Sequence, residues 1–232
     1  MSALTAKSIT IAVGSDTHVS GLLQVPPDAR AGYIVAHGAG AGMNHPFMAA
    51  VAAELAQRGI ATLRYQFPYM ERGSRRPDPP ELAQATVRAA VAAAQRALPK
   101  LPLIAGGKSF GGHMTSQAQS KAELPGVRGL AFLGFPLHPA GKPSQERAKH
   151  LFEVKIPMLF LQGTRDALAA LDQIEPVCVA LGKHATLKLF EAADHSFHVP
   201  ARSGRTDAQV RAEIFDTLAA WIDAVIKGPM PA

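Results

Sequence analysis

Cysteine is almost missing from this sequence: Cys178 is the one thiol in 232 residues. No intramolecular disulfide can form, which fits a reducing compartment. Charge is sparse as well. Charged residues make up 18%, against about 25% in an average soluble domain. Hydrophobic residues reach 47%, the reverse of what a disordered chain needs. Long apolar runs are absent. Arg, Lys, Pro or Gly interrupts each apolar stretch well before about 18 residues, which argues against a transmembrane helix. Met1–Thr10 holds no apolar segment of about 7–15 residues, so no secretory leader is expected and the cytoplasm is the expected location. Runs of like charge are missing too. Lys and Arg number 24, Asp and Glu 18, for a net charge of +6 and a pI near 9.7. Such a balance raises the question of nucleic-acid binding. With no run of about five like charges, a mildly basic enzyme surface is the better reading, and neither nucleic acid nor membrane is an expected partner.

What is present reads as one α/β domain over residues 1–232. Length alone allows one large domain or two small ones at about 150 residues each, but no segment has the composition of a linker and no repeat is visible. A chain of this size buries about 70–75% of its unfolded surface and needs no disulfide or metal staple. Lys7–Val13 and Val19–Val25 read as strands joined by Gly14-Ser15-Asp16, a hairpin signal. Apolar strands are then expected at Tyr33–Ala36, Ile60–Phe67, Leu103–Ala105, Leu130–Phe135, Met158–Leu161 and Leu187–Phe190. Helices are expected over Phe47–Arg58, Glu81–Leu98, from about Phe110, over Ser144–Glu153, Leu168–Leu181 and about Thr206–Ile226. Pro68–Pro80 reads as a loop rich in Pro and Arg. Alternating apolar strands and helices predict a mostly parallel sheet covered on both faces, with the opening hairpin as an antiparallel edge.

Gly107-Lys108-Ser109-Phe110-Gly111 matches G-x-S-x-G, placed after a buried strand and before a helix, where the motif has mechanical meaning. A tight strand-to-helix turn strains the serine and leaves no room for flanking side chains. It also lifts the Ser109 hydroxyl clear of the sheet at a helix N-terminus, which favours developing negative charge. The bland alternative is an ordinary strand–helix turn. A phosphate-binding reading of Gly107-Lys108-Ser109 fails, because its first glycine would fall on Pro102.

A serine hydroxyl needs an adjacent base, and the base needs an orienting carboxylate. On such a sheet the order is Ser, acid, His. Asp166, after the Met158–Leu161 strand, and His195, after the Leu187–Phe190 strand, fit that order at the same sheet edge. His198 is the second choice as base, Asp194 the second choice as acid, and His113 reads as a packing residue. Against these roles stand a helix N-cap for Asp166 and a surface loop for His195. The oxyanion hole needs two backbone N–H groups. Phe110, after the nucleophile, supplies one. Ala39, with Gly40 next, supplies the other from the loop His37–Gly42, whose glycines allow close backbone approach.

These residues resemble the α/β-hydrolase superfamily: the His-Gly loop at 37–42, the nucleophile elbow at 107–111, then Asp166 and His195 in order. Gly163-x-x-Asp166 and Asp194-His195-Ser196-Phe197 are similar to its dienelactone-hydrolase-like branch. Arg64-Tyr65-Gln66-Phe67-Pro68-Tyr69 with Arg75-Arg76-Pro77-Asp78 looks closest to the KANL3/Tex30-type hydrolase-like group, whose members are largely of undefined substrate. Dienelactone hydrolases use a cysteine where this chain has Ser109, which points to ester-type chemistry instead. The resemblance implies a three-layer α/β-hydrolase fold of about eight strands and a metal-free mechanism with no cofactor. The expected activity is that of a serine carboxylesterase or thioesterase acting on a small-molecule ester or thioester. The competing class is a non-catalytic binding or scaffold protein that retains the triad by descent.

The connection Pro136–Ile156 is too short for a large lid, so an open site is expected. Phe67, Phe135, Leu137 and His138 stand near strand ends and are candidates to line it. Arg72, Arg75 and Arg76 could form a basic rim that favours an anionic substrate, or be solvated. Lys108 is read as a rim charge or a solvent-exposed one. Cys178 and Trp221 are read as core residues.

Overall fold

The computed structural model describes residues 4–228. Residues 1–3, the beginning of the segment read for a leader, and 229–232 lie outside the described residues. Eight strands form one sheet: β1 (Lys7–Val13), β2 (Thr17–Gln24), β3 (Ala31–Ala36), β4 (Ile60–Tyr65), β5 (Leu103–Lys108), β6 (Val127–Leu133), β7 (Met158–Gly163) and β8 (Ala185–Phe190). Their spatial order is β1-β2-β4-β3-β5-β6-β7-β8. The pairs from β4 to β8 are parallel. β2 pairs antiparallel with both β1 and β4, so it is the strand that runs against the rest.

Side-chain alternation divides the core into two faces. On β3, Ile34 joins one apolar cluster while Tyr33 and Val35 join the other. The first face is covered by α3 (Pro80–Ala97), α4 (Phe110–Lys121) and α5 (Leu171–Leu181). On α3, Ala83, Val87, Ala90 and Ala94 recur at helical spacing and are all buried. The second face is covered by α1 (Pro46–Gln57) and α6 (Asp207–Lys227). There Met48, Val51 and Leu55 meet Ile214, Phe215, Leu218 and Ile222. α6 begins at a capping box in which Thr206 and Gln209 satisfy each other's backbone N–H groups. Trp221 is only partly buried and packs against this face.

The structure differs from the sequence expectation in a few segments. A short helix, α2 (Pro68–Glu71), opens the Pro-rich loop. Pro68 suits a first helical position, having no N–H to leave unpaired, and the Asp78 carboxylate accepts from Tyr69 N at 2.8 Å. β5 runs on through Gly106 and Gly107 to Lys108. α5 starts at Leu171, later than expected, because the preceding backbone turns around Asp166. The Asp166 carboxylate accepts from Leu168 N at 2.8 Å and its peptide oxygen from Ala169 N at 3.2 Å. Asp166 is therefore not the N-cap of α5; that position is Ala170. Between β6 and β7 the only helical segment is a 3₁₀ stretch, Glu146–Glu153.

Candidate active site

Ser109 occupies the turn between β5 and α4, with φ 48° and ψ −116°. A non-glycine residue in that region costs about 1–3 kcal/mol and persists only where the surroundings dictate it. The crowding that dictates it is local. A Cβ on Gly107 would stand 2.4 Å from the Ala36 peptide oxygen, and one on Gly111 2.6 Å from the peptide oxygens of Ala36 and His37. β3 and the start of α4 touch backbone to backbone, and the serine is left pointing outward from the turn.

The Ser109 hydroxyl donates to His195 Nε2 at 2.8 Å, and His195 Nδ1–H donates to Asp166 Oδ2 at 2.7 Å. The Asp166 side chain is fully buried, and the His195 side chain is 23% exposed. Gln162 Nε2 also donates to Asp166 Oδ2. The carboxylate is thus fixed by Leu168, Gln162 and His195 together. A hydroxyl on an imidazole that is itself held by a buried carboxylate can lose its proton as the oxygen attacks an electrophile.

The other histidines and acids point elsewhere. His198 is exposed and pairs with Asp207 at 2.9 Å. Asp194 folds its carboxylate onto the N–H groups of Ser196 and His198. His113 is half-buried against Phe135 and His150, with centroids 5.7 and 5.3 Å away. His37 is buried below the glycine loop. Its Nδ1–H donates to the Gly38 peptide oxygen at 2.8 Å, and its Nε2 accepts from Phe67 N at 3.1 Å. Burial lowers it to about 4.

The N–H groups of Ala39 and Phe110 make no hydrogen bond within the described residues. Gly40 N–H is engaged, donating to the Tyr69 hydroxyl at 3.0 Å, so Gly40 does not offer a free donor.

A cavity of about 340 Å³ opens beside Ser109 and His195. Ala39, Ala41, Phe47, Met48 and Leu168 give it an apolar wall, and His45, Lys108 and Ser196 also line it. None of the expected lining residues borders it. Phe67, Phe135, Leu137 and His138 are buried inside the protein. They sit at strand ends but turn inward, and His138 is used up by Ala170 N and the Pro139 peptide oxygen. Arg72 is tied to buried Asp78 at 2.6 Å. Arg72 and Arg76 line a separate, open hollow with Pro77 and Pro79, and Arg75 is exposed. Phe47 and Met48 could have been anticipated, because α1 follows directly on the glycine loop. Leu168 carries no comparable signal. Lys108, expected as a rim charge or a solvent-exposed one, does border the cavity, but it is half-buried, and its ammonium donates to the His195 peptide oxygen at 2.5 Å. Cys178 is buried, which pushes its thiol up to about 12.

The family described as an alpha/beta hydrolase domain matches residues 29–223. The chain belongs to the alpha/beta hydrolase family. Among solved structures it is similar to a dienelactone hydrolase from Anabaena variabilis, with a TM-score of 0.78 and 20% identity over 95% of this chain and 98% of that one. It is also similar to XC6422 from Xanthomonas campestris, described as an α/β serine hydrolase without a lid, with a TM-score of 0.72 and 20% identity over 98% and 96% of the two chains. A third is Est1E from Butyrivibrio proteoclasticus, with a TM-score of 0.65 and 16% identity over 91% and 99%. Likeness at these identities concerns the fold. Among the described residues no helix is long and apolar enough to cross a membrane, and no group of three or more His, Cys, Asp or Glu could hold a metal ion.

Proposed function

We propose that this protein is a serine hydrolase that cleaves a small ester or thioester through an acyl-enzyme intermediate, the chain acting as one catalytic domain in the cytoplasm. The observation that carries this reading is the hydrogen-bonded line from the Ser109 hydroxyl through His195 to buried Asp166. In the proposed mechanism Ser109 Oγ attacks the acyl carbon while His195 Nε2 takes its proton. Asp166 keeps the proton on Nδ1 and stabilises the imidazolium. The N–H groups of Phe110 and Ala39 hold the oxyanion, at the N-terminus of α4, where negative charge is favoured. The C–O or C–S bond breaks as Nε2 returns its proton to the leaving group. Water then repeats the sequence on the acyl-serine.

The apolar wall of Ala41, Phe47, Met48 and Leu168 suits an uncharged acyl group of modest length, since about 340 Å³ lies at the small end of ligand cavities. Arg72, Arg75 and Arg76 have no part in this reading. The closer kinship to the KANL3/Tex30-type group stays within the proposal and adds no substrate to it.

The test is hydrolysis of short p-nitrophenyl esters and matching thioesters by the wild type and by Ser109→Ala. The expected result is turnover by the wild type and a loss of at least about 10³-fold in the variant, with unchanged thermal unfolding. Full activity in Ser109→Ala would remove Ser109 as the nucleophile.

A further inference from the structure

The proposed mechanism leaves one half-buried charge of the cavity wall unused. Lys108 is the last residue of β5 and directly precedes Ser109. Its stem passes the glycine loop, where a Cβ on Gly38 would meet Lys108 Cγ at 3.6 Å. Its ammonium donates to the His195 peptide oxygen at 2.5 Å and lies 5.4 Å from the centre of the Phe197 ring. Gly134 makes the room: a Cβ there would stand 2.9 Å from Lys108 Nζ and 3.4 Å from His195 Cε1 and Nδ1. The ammonium and the imidazole therefore share one small space.

No carboxylate lies within 4.0 Å of that ammonium among the described residues. Burial lowers it to about 8, with the charges of Asp166 and Asp194 working against the shift. A cation beside a histidine that must itself become a cation opposes that step electrostatically. Its compensating contribution is geometric. The segment carrying His195 holds two non-glycine residues in the left-handed region, Ala192 at φ 61° and Phe197 at φ 63°. Such a segment keeps its shape only when its surroundings over-determine it. Ala192 and Ala193 are tied to Thr164 and Arg165 on the β7 side. Beyond them, Asp194 binds Ser196, Phe197 and His198 within the segment itself. At His195 the backbone is tied outward by Lys108.

We propose that Lys108 is a positioning residue: its ammonium fastens the His195 peptide to the strand that carries Ser109, and so holds Nε2 in reach of the Ser109 hydroxyl. This rests on the serine-hydrolase reading for its kinetic consequence, but the geometry it claims can be tested without turnover. A shift of about 1 Å at reacting groups can cost about a hundredfold in rate.

The experiment compares the wild type with Lys108→Met, which keeps an apolar stem without the ammonium. A third protein, Lys108→Cys in a Cys178→Ala background, is treated with 2-bromoethylamine to restore an ammonium at nearly the original reach. Lys108→Met is expected to lose about ten- to a hundredfold in kcat with KM within about twofold, and the aminoethylated protein to regain most of it. A folded Lys108→Met with wild-type kcat, or a loss that aminoethylation does not restore, overturns the proposal. If Lys108→Met does not fold, Lys108→Gln is judged by the same split between kcat and KM. If the wild type neither hydrolyses esters nor reacts with a fluorophosphonate, the hydrolase reading fails and crystal structures decide. A Ser109–His195 separation beyond about 3.5 Å in the variant supports the positioning role, and an unchanged one overturns it.

Discussion

Asp166 carries more hydrogen bonds than an orienting carboxylate strictly needs. One oxygen accepts from Leu168 N, the other from His195 Nδ1 and Gln162 Nε2. All three partners are donors, which an ionised acid can satisfy and an amide cannot. In Asp166→Asn the new NH₂ must face one of them whichever way the side chain turns. In the proposed mechanism kcat should fall by about 10³–10⁴-fold, and stability by about 1–3 kcal/mol from the donor left unpaired. Ester turnover and urea unfolding measure the two effects separately; retained kcat would remove Asp166 from the mechanism. The G-x-S-x-G spacing and the order of Asp166 and His195 were readable in the sequence, because the motif sits on a strand–helix boundary that hydrophobic patterning reveals. The direction a side chain takes at a strand end was not. Phe67, Phe135, Leu137 and His138 stand near the right edge but turn inward, and Lys108, read as a rim or solvent-exposed charge, lines the cavity while its ammonium reaches the His195 peptide oxygen. Residue position along a strand fixes height in the sheet, whereas burial is set by neighbours distant in sequence.

At the scale of elements, the β5–α4 turn depends on close backbone approach to β3. Gly111→Ala puts a methyl group 2.6 Å from the peptide oxygens of Ala36 and His37, atoms that cannot yield without parting β3 from β5. The loss should be about 3 kcal/mol or more, because overpacking here falls on backbone instead of a flexible side chain. Denaturant midpoints of wild type and variant check this, and a loss under about 1 kcal/mol would mean the turn can relax. Element existence followed from the sequence for all eight strands, since buried apolar runs and Gly or Pro boundaries mark them. Boundaries drifted where side chains overrode local pattern. α5 starts late because Asp166 claims the backbone N–H of Leu168, and α2 forms within an apparent loop because Asp78 binds Tyr69 N. Neither side-chain-to-backbone bond, two and nine residues apart, shows in the hydrophobic pattern.

Across the whole molecule, three histidines, His37 buried and His113 and His150 half-buried, make stability depend on pH. Burial lowers His37 to about 4, His113 to about 3 and His150 to about 4, with His150 and Arg147 adding to the shift at His113. Each folded-state value lies below the unfolded value of about 6.5, so the unfolded chain binds more protons below that pH. Stability is therefore full above pH 6.5 and falls as pH drops towards 4. His37 alone should cost about 2 kcal/mol at pH 5, since a protonated ring can no longer accept from Phe67 N. His198, raised by its hydrogen bond to Asp207, acts in the opposite sense at the surface. Urea unfolding at pH 7.5, 6 and 5 should give steadily lower stability, and a flat profile would contradict the lowered histidines. That Cys178 cannot form an intramolecular disulfide was legible from composition. The sign of the net charge was too, but not its use: the arginines of residues 72–76 lie away from the Ser109 cavity.

Whether the Ser109 hydroxyl is an activated nucleophile is decided by reaction with a fluorophosphonate probe. Rapid covalent labelling of the folded protein is expected, found by mass spectrometry on the peptide containing Ser109 and absent in Ser109→Ala and His195→Ala. A folded wild type that stays unlabelled, or that is labelled on another residue, would contradict it and leave a non-catalytic binding protein as the reading.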